Sequence, residues 1–421
     1  MLAAAALVLL FIFTSVIRHS ATSSSSSSGG RLELSDVQRR LAAFSLRGHG
    51  TSRHGCPGPP LAVRDLQRQD EQQPAPLVLV TGGAGFIGSS LVRLLLQLGY
   101  RVRVLDNLSS GRQSNLPQHG ALQLLVGDIT NASACTEAAV DVASVIHLAA
   151  ASRVAPSLEG PLAAAECVRT NVDGTLNVLE AARAQGVSRF VYAGSSTAYG
   201  GDDDADATDS RADAAPSPAA AARLYRDAYG IRPSGPLLPS WELDRPSPRS
   251  PYAASKHAGE LLVQSYGATF GMPAVILRLF MVYGPRELGS GPHATVVAAF
   301  IADAAAGRAL RIQGDGSQSR DFVHVDDVAR AFVLALQAPQ LPRGAVLNIG
   351  TGEATSVAEL ADLVADPEKP RAFEPRRRMD IRGTLANTCA AQALLGWAPT
   401  VSLAEGGAAH GASRRSASLT R

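Results

Sequence analysis

The apolar run Leu77-Val78-Leu79-Val80 leads directly into Thr81-Gly82-Gly83-Ala84-Gly85-Phe86-Ile87-Gly88, after which Leu91-Val92 and Leu94-Leu95-Leu96 continue an apolar helical pattern. A buried strand, a glycine turn and an apolar helix in that order describe the first unit of a dinucleotide-binding fold. Each glycine has a separate task. Gly82 permits the tight turn, Gly85 lets backbone amides approach a pyrophosphate, and Gly88 lets helix and strand pack closely. Phosphate charge then rests on the helix N-terminus, where amides have no intrahelical partner. The next strand pattern, Arg101-Val102-Arg103-Val104-Leu105, ends in Asp106, placed for a carboxylate that accepts both ribose hydroxyls and so favours NAD over NADP.

From Leu77 to about Leu279 the chain keeps alternating. Val102–Leu105, Leu122–Val126, Ser144–Leu148, Phe190–Ala193 and Val275–Leu279 are short apolar runs separated by helical stretches. The expected fold class is therefore α/β: a doubly wound parallel sheet of the Rossmann type with a smaller mixed α/β substrate-binding lobe. A helix is expected from Asn171 to Gln185, stopped by Gly186, and another from Pro251, a residue suited to a first helical turn. Residues 201–248 break the rhythm with Ala, Asp, Pro and Ser and read as a surface insertion, with a helical stretch over Ala219–Tyr229. Beyond Pro285 the pattern is mixed, with a helix over Ala294–Ala306, a turn at Gly314-Asp315-Gly316 and a helix after Asp326. The expected organisation is a targeting segment and linker over 1–75, a nucleotide-binding domain over 76–284, an interleaved substrate lobe over 285–405 and a disordered tail over 406–421.

With 421 residues, 46% of them hydrophobic, the chain can bury a sizeable core. Its formal net charge of +2 and its scattered arginines leave no footprint for a nucleic-acid partner. Cys56, Cys135, Cys167 and Cys389 lie far apart, forming neither a metal-ligand pair nor a small disulfide framework, and read as ordinary thiols. The segment Leu2–Ile17 is almost wholly apolar and is followed by Arg18, His19 and a serine run. It lacks the positive start of a cleaved signal peptide, whereas the Ser- and Arg-rich stretch after it suits organelle import. A single N-terminal membrane anchor, as in Golgi-type endomembrane proteins, is the expectation, with import and a cytoplasmic location as the alternatives.

Tyr252 and Lys256, four apart after Pro251, share one helix face and reach the same bound molecules. A tyrosine that works as a base near neutrality needs its ordinary pKa of about 10 lowered by about 3 units, or roughly 4 kcal/mol of phenolate stabilisation. A neighbouring ammonium helps supply it. A third group follows the fifth strand: Gly194-Ser195-Ser196-Thr197-Ala198-Tyr199-Gly200 begins a turn at the carboxyl edge of the sheet, where ligands bind in such folds.

With these segments the chain resembles the extended short-chain dehydrogenase/reductase family, in particular its sugar-nucleotide epimerases and dehydratases, over residues 77 to about 405. The resemblance rests on Thr81–Gly88, Asp106, Asp128-Ile129, His147-Leu148-Ala149-Ala150, Asn171-Val172-Asp173-Gly174-Thr175, Ser195–Gly200, Tyr252–Lys256 and Arg320-Asp321-Phe322-Val323-His324-Val325-Asp326-Asp327. It implies a tightly held NAD that is reduced and reoxidised within one turnover. Its holders would be Gly82, Gly85, Phe86, Ile87, Gly88, Asp106, Asn107, Asp128, Ile129, Leu148, Ala149, Ala150, Asn171, Tyr252 and Lys256. Asp128 and Ile129 would line the adenine pocket, and Asn171 would support the active-site backbone. Ser195, Tyr252 and Lys256 would be catalytic, with Ser195 also holding the reacting hydroxyl, and Arg320 and Arg377 would meet the substrate diphosphate.

Within the family, 4,6-dehydratases place an Asp and a Glu just after the position of Ser195, because eliminating water needs an acid and a base beyond the tyrosine. Decarboxylases of UDP-glucuronate typically have Thr at the Ser195 position and Glu at that of Thr197. Here Ser196 and Thr197 follow Ser195, which leaves the set needed for 4-epimerisation of a UDP-sugar by transient oxidation at C4. A UDP-glucuronate decarboxylase or another NAD-linked sugar-nucleotide conversion is the alternative, and an NAD-binding scaffold without turnover the alternative from another class. Met281 stands where the family usually has an Asn that contacts the substrate, and Met379 replaces a usual glycine. The family also implies a homodimer.

Overall fold

The computed structural model describes residues 66, 75–152, 154–200, 239–288, 291, 294–365, 370–376 and 381–407. The apolar run Leu2–Ile17, Cys56, the stretch expected to be helical over Ala219–Tyr229, Arg377, Met379 and the chain beyond 407 lie outside them.

Strands β1 (Leu77–Thr81), β2 (Arg101–Asp106), β3 (Leu122–Val126), β4 (Ser144–His147), β5 (Arg189–Ser195) and β6 (Ala274–Leu279) form where short apolar runs are bounded by turns. Then come β7 (Met281–Tyr283), β8 (Leu310–Gln313), β9 (Ser319–His324), β10 (Ala345–Ile349), β11 (Ala354–Ser356) and β12 (Arg371–Glu374). The large sheet has the order β10-β6-β5-β4-β1-β2-β3, with all pairs parallel. A three-stranded sheet, β11-β9-β7, mixes one antiparallel and one parallel pair, and β12 pairs with β8 in parallel. This is the doubly wound sheet with a smaller mixed lobe that the alternating pattern implies. The chain crosses between the two parts more than once, since β7 belongs to the small sheet while β10, far downstream, completes the large one.

Helices α1 (Phe86–Gln97), α2 (Ala132–Ala139), α3 (Pro161–Val168), α4 (Gly174–Ala184), α5 (Pro251–Phe270), α6 (Val296–Ala305), α7 (Val325–Gln337), α8 (Val357–Val364) and α9 (Cys389–Leu395) cover the sheets. The central strands are buried on both faces, so alternate residues feed two different cores. Val78, Val80, Val191, Ala193, Val275 and Leu277 pack with α1, α7 and α9. Leu77, Leu79, Phe190, Tyr192, Ala274 and Ile276 face the other way, with α2, α4 and α5. A third core, around Phe300, Ile312, Phe322 and Leu360, fills the small lobe.

Three local expectations change. The helix expected from Asn171 begins at Gly174, preceded by a π turn over Arg169–Asp173 that follows α3. The insertion expected over 201–248 does not extend that far as a free surface loop, because residues 239–248 are stitched into the body. Ser240 bridges Ala386, the Ser247 N–H donates to the Ala198 carbonyl, and the Glu242 carboxylate accepts from the Asn348 N–H at 2.8 Å. Finally, Cys135 and Cys167 are free and buried, as read, but Cys389 is disulfide-bonded. Among the described residues no helix is long and apolar enough to cross a membrane.

Candidate active site

In the large sheet the strand sequence runs outward from β1 to β3 on one side and from β4 to β6 on the other, so the order reverses between β1 and β4. A crevice opens outside the carboxyl ends of the strands at such a switch point. Here it is a cavity of about 1550 Å³ lined by Gly82, Gly85, Asp106, Leu148 and Ser195 at the strand ends and by Arg311, Gln313 and Arg320 from the small lobe.

The glycine turn fits a dinucleotide. Gly82 has φ +70°, and a Cβ there would lie 2.7 Å from the Ala149 nitrogen, so no other residue passes between the β1 and β4 loops. A Cβ at Gly88 would run into the Gly82 carbonyl and lie 2.7 Å from the Gly83 Cα, which fixes how closely α1 approaches the turn. A Cβ at Gly85 would meet only the Gly82 carbonyl, at 3.2 Å. The start of α1 therefore stands bare beside the cavity, lined there by Phe86 and Ile87, and its unpartnered amides suit a diphosphate. Asp106 is 7% exposed and accepts from the Ala84 N–H at 2.9 Å and the Leu108 N–H at 2.8 Å. Each carboxylate oxygen keeps a lone pair for a ribose hydroxyl. Asn107 and Asp128, expected around the adenosine, are joined by a 2.8 Å hydrogen bond from Asn107 Nδ2. Burial opposes ionisation of Asp128, but donors from Thr130 and Asn107 outweigh it and hold its carboxyl below the usual range. Ile129, Leu148, Ala149 and Ala150 complete that wall.

Ser195, Tyr252 and Lys256 line the same cavity. Ser195 ends β5, where its hydroxyl accepts from the Thr197 N–H at 3.3 Å and lies 2.9 Å from the Thr197 hydroxyl. Helix α5 holds Tyr252 and Lys256 in register because both ends are capped. The Ser250 hydroxyl accepts from the Ala253 N–H, Pro251 opens the first turn, and Gly271 closes the helix in the left-handed region. Lys256 is 5% exposed, and its Nζ sits 4.3 Å from the centre of the Tyr192 ring. Burial pushes its ammonium down to about 7, against the opposing pull of Glu260. That amine therefore changes charge near neutrality.

Asn171 does not line the cavity. It is 1% exposed and lies behind the wall in the π turn, where its side chain accepts from the Ala151 N–H at 2.8 Å and donates to the Ala151 carbonyl and the Ser255 hydroxyl. Among the cofactor residues read from sequence it is thus a support for the wall. Arg320 lines the cavity; Arg377, its expected partner on a diphosphate, lies outside the described residues.

Sequence reasoning missed several lining groups. Arg311 and Gln313 reach the cavity from β8 because Leu310 and Ile312, which alternate with them, are buried in the small-lobe core. That alternation was readable. Asp303, 3% exposed on α6, also lines the cavity and pairs with Arg308 at 2.7 Å and Arg311 at 3.5 Å. Only tertiary packing brings it there. Arg286, in the left-handed region at φ +71°, donates to the Ser89 and Ser90 hydroxyls and ties the strand exit to α1. Met281 lines the cavity two residues beyond Leu279, which pairs with Ser195.

Residues 78–232 and 227–350 match the model of the NAD-dependent epimerase/dehydratase family. The UDP-glucose 4-epimerase of Mycolicibacterium smegmatis is 38% identical over 340 residues, covering 78% of this chain and 95% of that one. The UDP-glucose 4-epimerase of Thermotoga maritima, solved with UDP-glucose, superposes with a TM-score of 0.68 at 32% identity, over 81% of this chain and 99% of that one. The Thermus thermophilus UDP-glucose 4-epimerase, solved with NAD, gives 0.67 at 33% identity, over 81% and 99% of the two chains. With its switch-point cavity, its glycine turn and its Ser195, Tyr252 and Lys256 together, the chain belongs to the NAD-dependent epimerase/dehydratase family.

Proposed function

We propose that this protein inverts C4 of a UDP-sugar by transient oxidation, as a UDP-glucose 4-epimerase does. The observation that carries the reading is one cavity holding Ser195, Tyr252 and Lys256 beside a glycine turn, with no carboxylate at Ser196 or Thr197. NAD, held by Gly82, Gly85, Gly88 and Asp106, would supply the hydride acceptor that a transient oxidation at C4 needs. The Ser195 hydroxyl holds the sugar O4, and the Thr197 hydroxyl 2.9 Å away orients it. Tyr252 Oη takes the O4 proton and gives it back after the sugar has turned. Lys256, charged when protonated, favours the phenolate over the phenol and holds the cofactor ribose. Arg311 and Arg320 suit the substrate diphosphate, since a planar guanidinium donates in parallel to phosphate oxygens.

Chromatography of the full chain with UDP-glucose, UDP-galactose, UDP-N-acetylglucosamine and UDP-glucuronate tests the reading. A 4-epimer at unchanged mass is expected, with turnover lowered roughly a hundred- to ten-thousandfold in Tyr252→Phe. Carbon dioxide released from UDP-glucuronate would assign a decarboxylase instead, and NAD retained with no product from any sugar a scaffold. Met281 places a thioether where a hydrogen-bonding side chain is usual, so the identity of the sugar is the most informative part of that result.

We further propose that the working unit is a homodimer paired through α3, α4 and α5. The support is apolar surface left on these helices: Leu162 is 86% exposed, Val168 48%, Leu176 38% and Leu261 52%. A third part of the reading makes Leu2–Ile17 an endomembrane anchor, supported by its sixteen-residue apolar character. Sedimentation with membranes that survives salt but not detergent is the expected behaviour.

A further inference from the structure

Behind the cavity wall lies a set of polar side chains that the proposed reaction does not use. Thr81 at the end of β1, His147 at the end of β4, Thr175 in the first turn of α4 and Asn171 in the π turn are each 1% exposed or less, and Ser255 on α5 is 2% exposed. Buried polar groups are costly unless matched, and these are matched by one another and by the backbone around them. The Ala149 N–H donates to Thr81 Oγ1 at 3.2 Å, and Thr81 Oγ1 lies 2.6 Å from His147 Nδ1. His147 Nε2 lies 3.0 Å from Thr175 Oγ1, whose proton goes to the Asn171 carbonyl at 2.7 Å. Asn171 Nδ2 donates to Ser255 Oγ at 2.9 Å, and Ser255 donates to the Tyr252 carbonyl at 2.9 Å.

Proton counting fixes the imidazole. A hydroxyl has one proton, and that of Thr175 is committed to a carbonyl, which only accepts. Toward His147 the Thr175 oxygen must therefore accept, so Nε2 carries the hydrogen. A neutral imidazole has no second one, so Nδ1 accepts the Thr81 hydroxyl proton, and Thr81 in turn accepts from Ala149. Along this path each donor points the same way, from the cofactor wall at Ala149 to the backbone of Tyr252, while Asn171 Nδ2 also donates to the Ala151 carbonyl. Around the ring stand Phe190 at 6.2 Å and Tyr192 at 5.7 Å, and burial first, then the Lys256 charge above Tyr192, opposes a second proton on His147.

We propose that His147 is a positioning residue: a permanently neutral, Nε2-protonated imidazole that locks the cofactor wall to the helix carrying Tyr252 and Lys256. It touches neither substrate nor cofactor. Its effect is on the distance between the base and the oxidant, so its loss lowers kcat and leaves the affinity for the sugar nucleotide alone. The inference rests on the epimerase reading for its kinetic consequence but not for the tautomer.

The full chain labelled with 15N-histidine decides it. The His147 signals, identified by their loss in His147→Asn, are expected to show a protonated Nε2 and an accepting Nδ1, unchanged from pH 5.5 to 8.5. Thr175→Val, close in shape but without the hydroxyl, is expected to lower kcat about tenfold with KM for the sugar nucleotide within twofold and NAD content unchanged. Thr175→Ser restores the hydroxyl and is expected to restore kcat. A protonated Nδ1, a titration of His147 within that range, or Thr175→Val with unchanged kcat would overturn the proposal. Should the wild type epimerise nothing, the reaction assignment falls and the tautomer measurement still decides the positioning role.

Discussion

Lys256 carries a cost in stability at the place where the proposed chemistry needs an amine. Its ammonium is buried against Tyr192 and driven to about 7, while the same group in an unfolded chain stays protonated to about 10.5. Between those values the unfolded state binds more protons than the folded one, so stability rises with pH across the window, by about 1.4 kcal/mol per pH unit at most. Below pH 7 the buried charge is a liability. Lys256→Met is accordingly expected to unfold at a higher temperature than the wild type at pH 6.5 in the absence of cofactor, with the difference shrinking by pH 9.5 and activity lost throughout. Calorimetry at the two pH values checks this, and a difference that grows with pH would contradict it. Taking the difference is necessary because the Glu242 carboxyl, pushed up to about 7 by burial, makes stability fall with pH between about 4.5 and 7. The lysine's reach was legible from its spacing to Tyr252. Its altered acidity was not, because that arises from burial by segments far apart in the chain, Tyr192 on β5 among them, against the opposing pull of Glu260 one helical turn away.

Between the glycine turn and α1, the element is defined by contacts too short for any side chain. A Cβ at Gly88 meets backbone, the Gly82 carbonyl and the Gly83 Cα, which cannot rotate away as a flexible side chain can. Gly88→Ala is expected to push α1 off the turn, cost about 1–3 kcal/mol as an overpacking change and release bound NAD. Thermal unfolding and NAD content of the purified variant check both. Gly99, where a Cβ would meet nothing within 4 Å, is the control, although its φ of +83° makes Gly99→Ala mildly destabilising without loss of NAD. Strands and most helices were legible because apolar periodicity survives burial on both faces. The π turn at Arg169–Asp173 was not, since it interrupts an otherwise helical sequence with no glycine or proline inside it. The Thr175 hydroxyl reaches the Asn171 carbonyl within one helical turn, but the Asn171 side chain, which holds Ala151, makes a tertiary contact.

For the whole molecule, the unpartnered apolar side chains on α3, α4 and α5 carry the expectation of a dimer. A stable pair buries about 800 Å² on each partner, with its centre depleted of charge. The double variant Leu176→Glu/Leu261→Glu is expected to run as a monomer by light scattering while keeping its fold by circular dichroism. A wild type that is already monomeric at micromolar concentration would dispose of the dimer. What the sequence by itself determined was the order of strands and helices, the glycine turn, Asp106, and the trio Ser195, Tyr252 and Lys256. These are local in character: periodicity, turn chemistry and i,i+4 spacing are properties of neighbouring residues. The tertiary structure alone decided that β10 returns to the large sheet, that Asp303 and Arg311 face the cavity, that residues 239–248 are sewn to Asn348 and Ala386, and that Asn171 stands behind the wall. Each of these depends on segments far apart in the chain meeting across a shared core, and nothing in the neighbourhood of a single residue records that meeting.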